Sequence, residues 1–142
     1  MQTVSDILKN KGSEIWSVTP TTTVYDAIKL MSDKGIGALL VMEGERLAGI
    51  FSERDYARKV VLEGKSSRDV PVRDIMTSRV LWVSPERTVQ ECMALMSDKR
   101  LRHLPVLDEE KVVGVISIGD LVKAIIHEQQ FLIEQLQQYI TG

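Results

Sequence analysis

With 142 residues, 18 Lys+Arg against 20 Asp+Glu and a formal net charge of −2, the chain is one compact domain or two very small units in tandem, and it lacks the basic excess of a nucleic-acid binder. Hydrophobic residues at 44% and charged residues at 27% exclude wholesale disorder, and no run approaches the roughly 18 apolar residues of a membrane span. The single cysteine, Cys92, rules out an internal disulfide and a cysteine-based zinc cluster, and His103 and His127 alone cannot build a multi-histidine metal site, so no metal is expected.

The predicted elements come in chain order as two matching sets. Residues 15–18 form a short β-rich run closed by Thr19-Pro20. Thr23-Val24-Tyr25-Asp26 then spells a capping box, which opens a helix with Val24, Ala27, Ile28 and Met31 on one face. Residues 38–42 are a strand, residues 43–46 a polar turn and residues 47–51 a second strand, and a second helix begins near Ser52. Residues 63–71 are a polar linker. The order then recurs, with a β-rich run at 80–83 closed by Ser84-Pro85 and a helix opened by Thr88-Val89-Gln90-Glu91. Val89, Cys92, Met93 and Met96 line that helix, strands follow at 104–107 and 112–116, and a last helix starts near Ser117.

Recurrence of elements reflects recurrence of sequence. Shifted by 65 positions, residues 15–62 overlay residues 80–127 without a gap, and 15 of the 48 pairs are identical. The run Leu30-Met31-Ser32-Asp33-Lys34 returns as Leu95-Met96-Ser97-Asp98-Lys99, and Gly49, Ser52 and Asp55 return as Gly114, Ser117 and Asp120. Upstream, Val4-Ser5-Asp6-Ile7-Leu8 matches Val72-Arg73-Asp74-Ile75-Met76 at a shift of 68, so the first repeat carries three extra residues near Lys11-Gly12-Ser13. The chain therefore divides into repeat one (1–65), repeat two (66–127) and a helical extension (128–142). Each repeat reads β-α-β-β-α, a mixed α/β (α+β) unit. A single repeat is too small to be robust alone, so the two are expected to pack by their sheets about a pseudo-two-fold axis, with two related clefts between them.

The duplicated pattern resembles the tandem cystathionine-β-synthase (CBS) domain pair, or Bateman module. The likeness is carried by Asp74-Ile75-Met76-Thr77, by Val-x-Pro-x-x-Thr-Val at Val18–Val24 and Val83–Val89, and by Arg102-His103-Leu104-Pro105-Val106. The segments Gly49–Asp55 and Gly114–Asp120 complete it, and the coverage runs from about Val4 to His127. The resemblance implies an adenosine-containing ligand (AMP, ADP, ATP, NAD(H) or S-adenosylmethionine) in the inter-repeat clefts, regulation rather than catalysis, and homodimers. It also implies that the Ser-x-x-Asp segment holds ribose and phosphate. Asp55 and Asp120 are then assigned to ribose, and Ser52 and Ser117 to the first phosphate. Adenine would lie beside the strands that precede Pro20 and Pro85, near Ile15, Thr19 and Val80, with Thr77 leading in.

The residues themselves agree in part. Free amides at a helix N-terminus favour an anion, and a carboxylate in the first turn can accept from both hydroxyls of a ribose diol. The glycines at 49 and 114 let the backbone approach closely or relieve strain in the strand. Ser-x-x-Asp is equally a capping-box spelling, in which each hydroxyl caps its own helix for about 1 kcal/mol, and the two uses compete for the aspartate. Arg102 can clamp phosphate with a two-pronged guanidinium and His103 can add a donor, or both can belong to an exposed basic turn. Their counterparts, Gly37 and Ala38, carry no charge, while Arg54 stands opposite Gly119, so the two sites are unequal. Lys11-Gly12 reads as a solvated turn, with contact to a longer ligand as the alternative. Trp16 and Trp82 are out of phase and read as core or interface residues.

Beyond the repeat, the last helix continues to Ile140, with Leu121, Ile125, Leu132, Leu136 and Tyr139 near one face. That stripe either covers this chain's own core or meets another subunit, and the partner is favoured because the repeat closes without it. Neither GxGxxG nor GxxxxGK[ST] occurs and no catalytic constellation is visible, so an enzyme is not expected. No basic segment followed by an apolar run opens the chain, and a cytoplasmic protein is the expectation. Two functions lead, an adenine-nucleotide sensor acting on an unidentified effector protein or a ligand-independent dimeric scaffold, and a piece of a larger enzyme or transporter is the third reading. Neither leading function involves a nucleic acid or a membrane.

Overall fold

The computed structural model describes residues 2–12 and 14–141. Its elements run α1 (Val4–Lys11), β1 (Ser17–Val18), α2 (Val24–Lys34), β2 (Ala38–Glu43), β3 (Arg46–Ser52) and α3 (Glu53–Tyr56, continued by a π-helical turn over Ala57–Val61). A 3-10 turn over Val72–Asp74 leads to α4 (Val89–Lys99), β4 (His103–Asp108), β5 (Lys111–Ser117) and α5 (Ile118–Thr141). This is the expected mixed α/β order, with an extended C-terminal helix. One unit holds Glu14–Leu81 with Glu109–Val112; the other gathers α1, Trp82–Asp108 and the chain from Val113 onward.

In the first-repeat unit the sheet order is β1-β2-β3. β1 runs parallel to β2, with Ser17 opposite Leu40, and β2 pairs antiparallel with β3 from Ala38 opposite Ser52 to Glu43 opposite Arg46. That register ends β3 on Ser52, where α3 begins. Thr23 caps α2 by accepting from the Asp26 amide, and Val24, Ala27 and Met31 turn inward onto Leu39, Val41 and Phe51. Val72 and Ile75 close the same core, and Thr77 pairs with Ile50 through two bonds of 3.0 and 2.9 Å. Only the hydroxyl half of the box expected at α2 forms, whereas Thr88 and Glu91 make both halves at α4.

In the second-repeat unit β4 and β5 form a two-stranded sheet joined through Glu109-Glu110, both at positive φ (50° and 69°). The core is built from Val89, Cys92 and Met96 of α4, Leu104 and Val106 of β4, Ile116, Leu121 and, from α1, Val4 and Ile7. Helix α1 is capped by a full Thr3–Asp6 box and tied in by bonds from the Val4 amide to Arg87 O (2.8 Å) and from the Val89 amide to Gln2 O (3.0 Å). The two leading segments are thus exchanged with respect to sequence. The chain's first helix closes the core built on α4, and its sequence counterpart at 72–76 closes the core built on α2.

The strand expected at 80–83 contracts to one parallel bridge, Val83 opposite Val106, and Leu81 and Trp82 are exposed. The cause is Pro105. In the first repeat the Leu40 amide donates to Trp16 O at 3.3 Å; proline at the matching position has no N–H to donate, so the ladder stops. Trp16 packs on its core, with the Lys34 ammonium 4.2 Å from the ring centroid. Helix α5 is buried at Leu121 and packs through Ala124 and Ile125, but every residue from Gln129 to Ile140 is exposed. Own-core packing therefore ends near Ile125.

Candidate functional site

Both Ser-x-x-Asp segments sit where a strand turns into a helix, and both fold as capping boxes. At α3 the Ser52 amide and hydroxyl donate to Asp55 Oδ2 (3.0 and 3.1 Å), and the Asp55 amide donates to Ser52 Oγ (3.2 Å). At α5 the Ser117 amide donates to Asp120 Oδ2 (2.8 Å) and the Asp120 amide to Ser117 Oγ (3.1 Å). The capping use read from sequence is therefore made in full at both places. It occupies Oδ2 of each carboxylate.

The remaining partners differ. Asp55 Oδ1 faces the Thr77 hydroxyl at 3.4 Å and the Lys59 ammonium at 3.3 Å, and Lys59 also donates to Ile75 O at 3.0 Å. Asp120 Oδ2 takes the Lys11 ammonium at 2.7 Å, and Lys11 donates as well to Val115 O at 3.0 Å. None of these bonds uses Asp120 Oδ1. Burial of Asp120, whose side chain is 18% exposed, by itself pushes its carboxyl up. The Lys11 ammonium and the Ser117 amide outweigh that and hold it below the usual carboxylate range. The carboxylate is ionised at neutral pH and able to accept hydroxyl donors.

Two further bonds gather neighbours around each junction. The Ile118 amide donates to Arg102 O at 2.8 Å, and the Glu53 amide to Gly37 O at 3.0 Å, so the segment before each unit's β4 or β2 strand is fastened to the first turn of the helix. Arg102, which is exposed, is thereby tied through its carbonyl to Ile118, the first residue of α5, and His103, which follows it, is half-buried. In the first-repeat unit Arg54 lies half-buried within α3, and Ile15 and Val80 are half-buried outside the strands. Thr19 turns its hydroxyl to Thr21 and Thr22 (3.3 and 3.0 Å). Pro20 lines a cleft of about 550 Å³ with Arg46, Arg73, Met76 and Ser78. Thr77 is the one residue of the adenine set that reaches a ribose candidate directly.

The glycines make the close approach expected of them. A Cβ on Gly49 would lie 2.6 Å from Met76 Sδ and 2.8 Å from Thr77 O, and one on Gly114 would lie 2.7 Å from Leu8 Cδ2. Sequence reasoning missed Lys59 and Lys11 as partners of the aspartates. Lys11 is not a solvated turn: it ends α1 and forms one wall, with Asn10, Asp120, Lys123 and His127, of a cleft of about 420 Å³. The signal for α1 was Thr3-x-x-Asp6, a capping box ahead of an apolar residue at Ile7. Ser13, last of the three extra residues, lies outside the described residues. No group of three or more His, Cys, Asp and Glu side chains suited to a metal occurs among the described residues, nor any helix long and apolar enough to cross a membrane.

Fold and junctions together define a duplicated α/β pair whose two strand-to-helix turns carry the same Ser-x-x-Asp cap. The CBS domain family matches residues 3–62 and 72–127, and the chain belongs to that family as a tandem pair. A solved CBS-domain protein from Burkholderia ambifaria is 57% identical, the match covering 90% of this chain and 96% of that one at a TM-score of 0.88. The CBS domain-containing protein CBSX3, mitochondrial, of Arabidopsis thaliana is 43% identical over 150 residues, 99% of this chain and 72% of its own. The CBS domain pair of protein MJ0100, solved with 5′-methylthioadenosine and S-adenosyl-L-methionine, shares the fold at a TM-score of 0.78 and 22% identity, over 90% of this chain and 98% of that one.

Proposed function

We propose that this CBS pair is a regulatory module that binds an adenosine-containing ligand, with Asp55 and Asp120 reading the ribose diol and Arg102 the phosphate. The reading is supported above all by Asp120: a largely covered, ionised carboxylate at a strand-to-helix junction, with Oδ2 bound to its cap and to Lys11 and Oδ1 outside those bonds. A diol that reaches both carboxylate oxygens meets the Lys11 ammonium at Oδ2. Ligand binding is thereby linked to the C-terminal end of α1, and the ligand shifts that equilibrium only by its differential affinity for the two arrangements. AMP, ATP, NAD(H) and S-adenosylmethionine are the compounds to try, in a cytoplasmic homodimer that passes the change to an effector protein. The second reading, a ligand-independent scaffold, is favoured by the capping boxes themselves, which engage Oδ2 of both aspartates in holding their own helices.

Thermal unfolding with each compound separates the two. A sensor at about 100 times its Kd gains roughly 2.7 kcal/mol, which raises Tm by several degrees in a chain of this size. Asp120→Ala should abolish most of that rise, and Asp55→Ala should reduce it to a different extent. A Tm unmoved by all four compounds leaves the scaffold.

A further inference from the structure

The cleft of about 550 Å³ in the first-repeat unit lies apart from both Ser-x-x-Asp junctions. It opens at the hairpin end of β3, beside Glu43, Arg46 and Ala48, whereas Ser52 ends the same strand about 20 Å further along. Pro20 and Thr21 line it from the loop before α2, and Arg73, Met76 and Ser78 from the segment after the linker. Main-chain bonds fix those two segments to each other: the Arg73 amide donates to Pro20 O at 3.0 Å and the Val72 amide to Thr22 O at 2.8 Å. Met76 and the buried Ala48 supply an apolar surface, Thr21 and Ser78 hydroxyl donors, and the arginines two guanidiniums against one carboxylate. Neither guanidinium is firmly held. Arg73 Nε stands 3.9 Å from Asp74 Oδ1, beyond hydrogen-bond distance, and Arg46 meets Glu43 at 2.8 Å on an exposed surface, where such a pair is worth little.

The duplication supplies an internal comparison. The second-repeat unit builds the same frame, with the Ser5 amide donating to Pro85 O at 2.9 Å and the Val4 amide to Arg87 O at 2.8 Å. Its side chains do not follow. Glu86 stands for Thr21, Asp108 for Glu43, Lys111 for Arg46 and Ser5 for Arg73, so two cations against one acid become one against two. The frame is thus made without an arginine, and the positive excess in the first repeat is not needed to fold it. We propose that this cleft binds a small organic phosphate, with Arg46 and Arg73 on the phosphate oxygens and the organic part against Met76 and Ala48. A guanidinium presents its N–H groups as a fork that takes two oxygens at once. Two forks and two hydroxyls match the three terminal oxygens of a phosphate monoester better than the two of a carboxylate. The volume exceeds the needs of a bare phosphate and falls among small-molecule sites, about 300–1,000 Å³.

Calorimetric titration of the full chain with phenyl phosphate, inorganic phosphate and phenylacetate tests this, with circular dichroism as the check on folding. Phenyl phosphate should fill a single site per chain, on the order of tenfold tighter than the other two probes, which lack its ring or its third oxygen. Arg46→Gln and Arg73→Gln, both at exposed positions, should each weaken it about tenfold or more. Thr21→Glu, which installs the second repeat's residue, should abolish it. Adenosine, which has the diol but no phosphate, should not displace it. Absence of binding, or binding that survives both arginine variants, overturns the site. Displacement by adenosine assigns the phenyl phosphate to the Ser-x-x-Asp junctions and overturns it as well. Equal affinity for inorganic phosphate or for phenylacetate overturns the ligand class.

Discussion

Lys11 and Asp120 lie 109 residues apart in the chain and 2.7 Å apart in space. Burial alone would raise the Asp120 carboxyl; Lys11 and the Ser117 amide reverse the sign and lower it. A carboxyl whose folded value is depressed contributes stability that is fully present above its unfolded value, about 3.9, and is lost as pH falls through the folded one. Lys11→Met should therefore cost about 1 kcal/mol at pH 7, a modest figure because the lysine end is exposed, and close to nothing near pH 2. Urea unfolding of both proteins across that range checks it, and a gap that does not close in acid assigns the loss to something other than the pair. The same two residues show what was legible at this scale. Ser52, Asp55, Ser117 and Asp120 could be read because a cap is fixed by a spacing of three within one turn. Lys11 could not, because its partner depends on where α1 packs.

At the level of elements, the duplication makes paired experiments possible. Gly49 and Gly114 occupy matching strand positions but meet different atoms. A methyl at Gly49 would press on Thr77 O, backbone held in the pairing with Ile50, as well as on Met76; at Gly114 it would meet the end of the flexible Leu8 side chain. Gly49→Ala should cost about 2–3 kcal/mol and Gly114→Ala about 1 kcal/mol or less, since only the second neighbour can turn away. Chemical denaturation of the two variants compares them directly, and equal losses would mean that the Thr77 segment yields as easily as a leucine. Element order and both Ser-capped helices were readable because hydrophobic period and capping are local properties. The shortening of the 80–83 strand was carried by one residue, Pro105, whose missing N–H matters only once its parallel neighbour is known.

For the molecule as a whole, the duplication foretold two matching repeats but not that each leading segment enters the core built on the other repeat's helix. Val4 and Ile7, like Val72 and Ile75, present an apolar pair at a spacing of three, so pattern alone suits either core. The structure puts Ile7 against the cluster that holds Cys92, and Ile75 in the cluster that holds Phe51. Cys92 is fully buried and burial pushes its thiol up to about 11, so at pH 8 the folded protein offers a maleimide almost no thiolate and labelling reports opening of that core. Ile7→Ala removes buried volume beside it, at a cost of about 2–4 kcal/mol, and should speed labelling roughly 30-fold or more. Ile75→Ala, matched to it in loss of global stability, should speed labelling at least about tenfold less, because the core it opens does not contain the thiol. Equal acceleration by the two variants would show that Ile7 does not act through the core around Cys92, and that the exchange of leading segments has no separate energetic consequence.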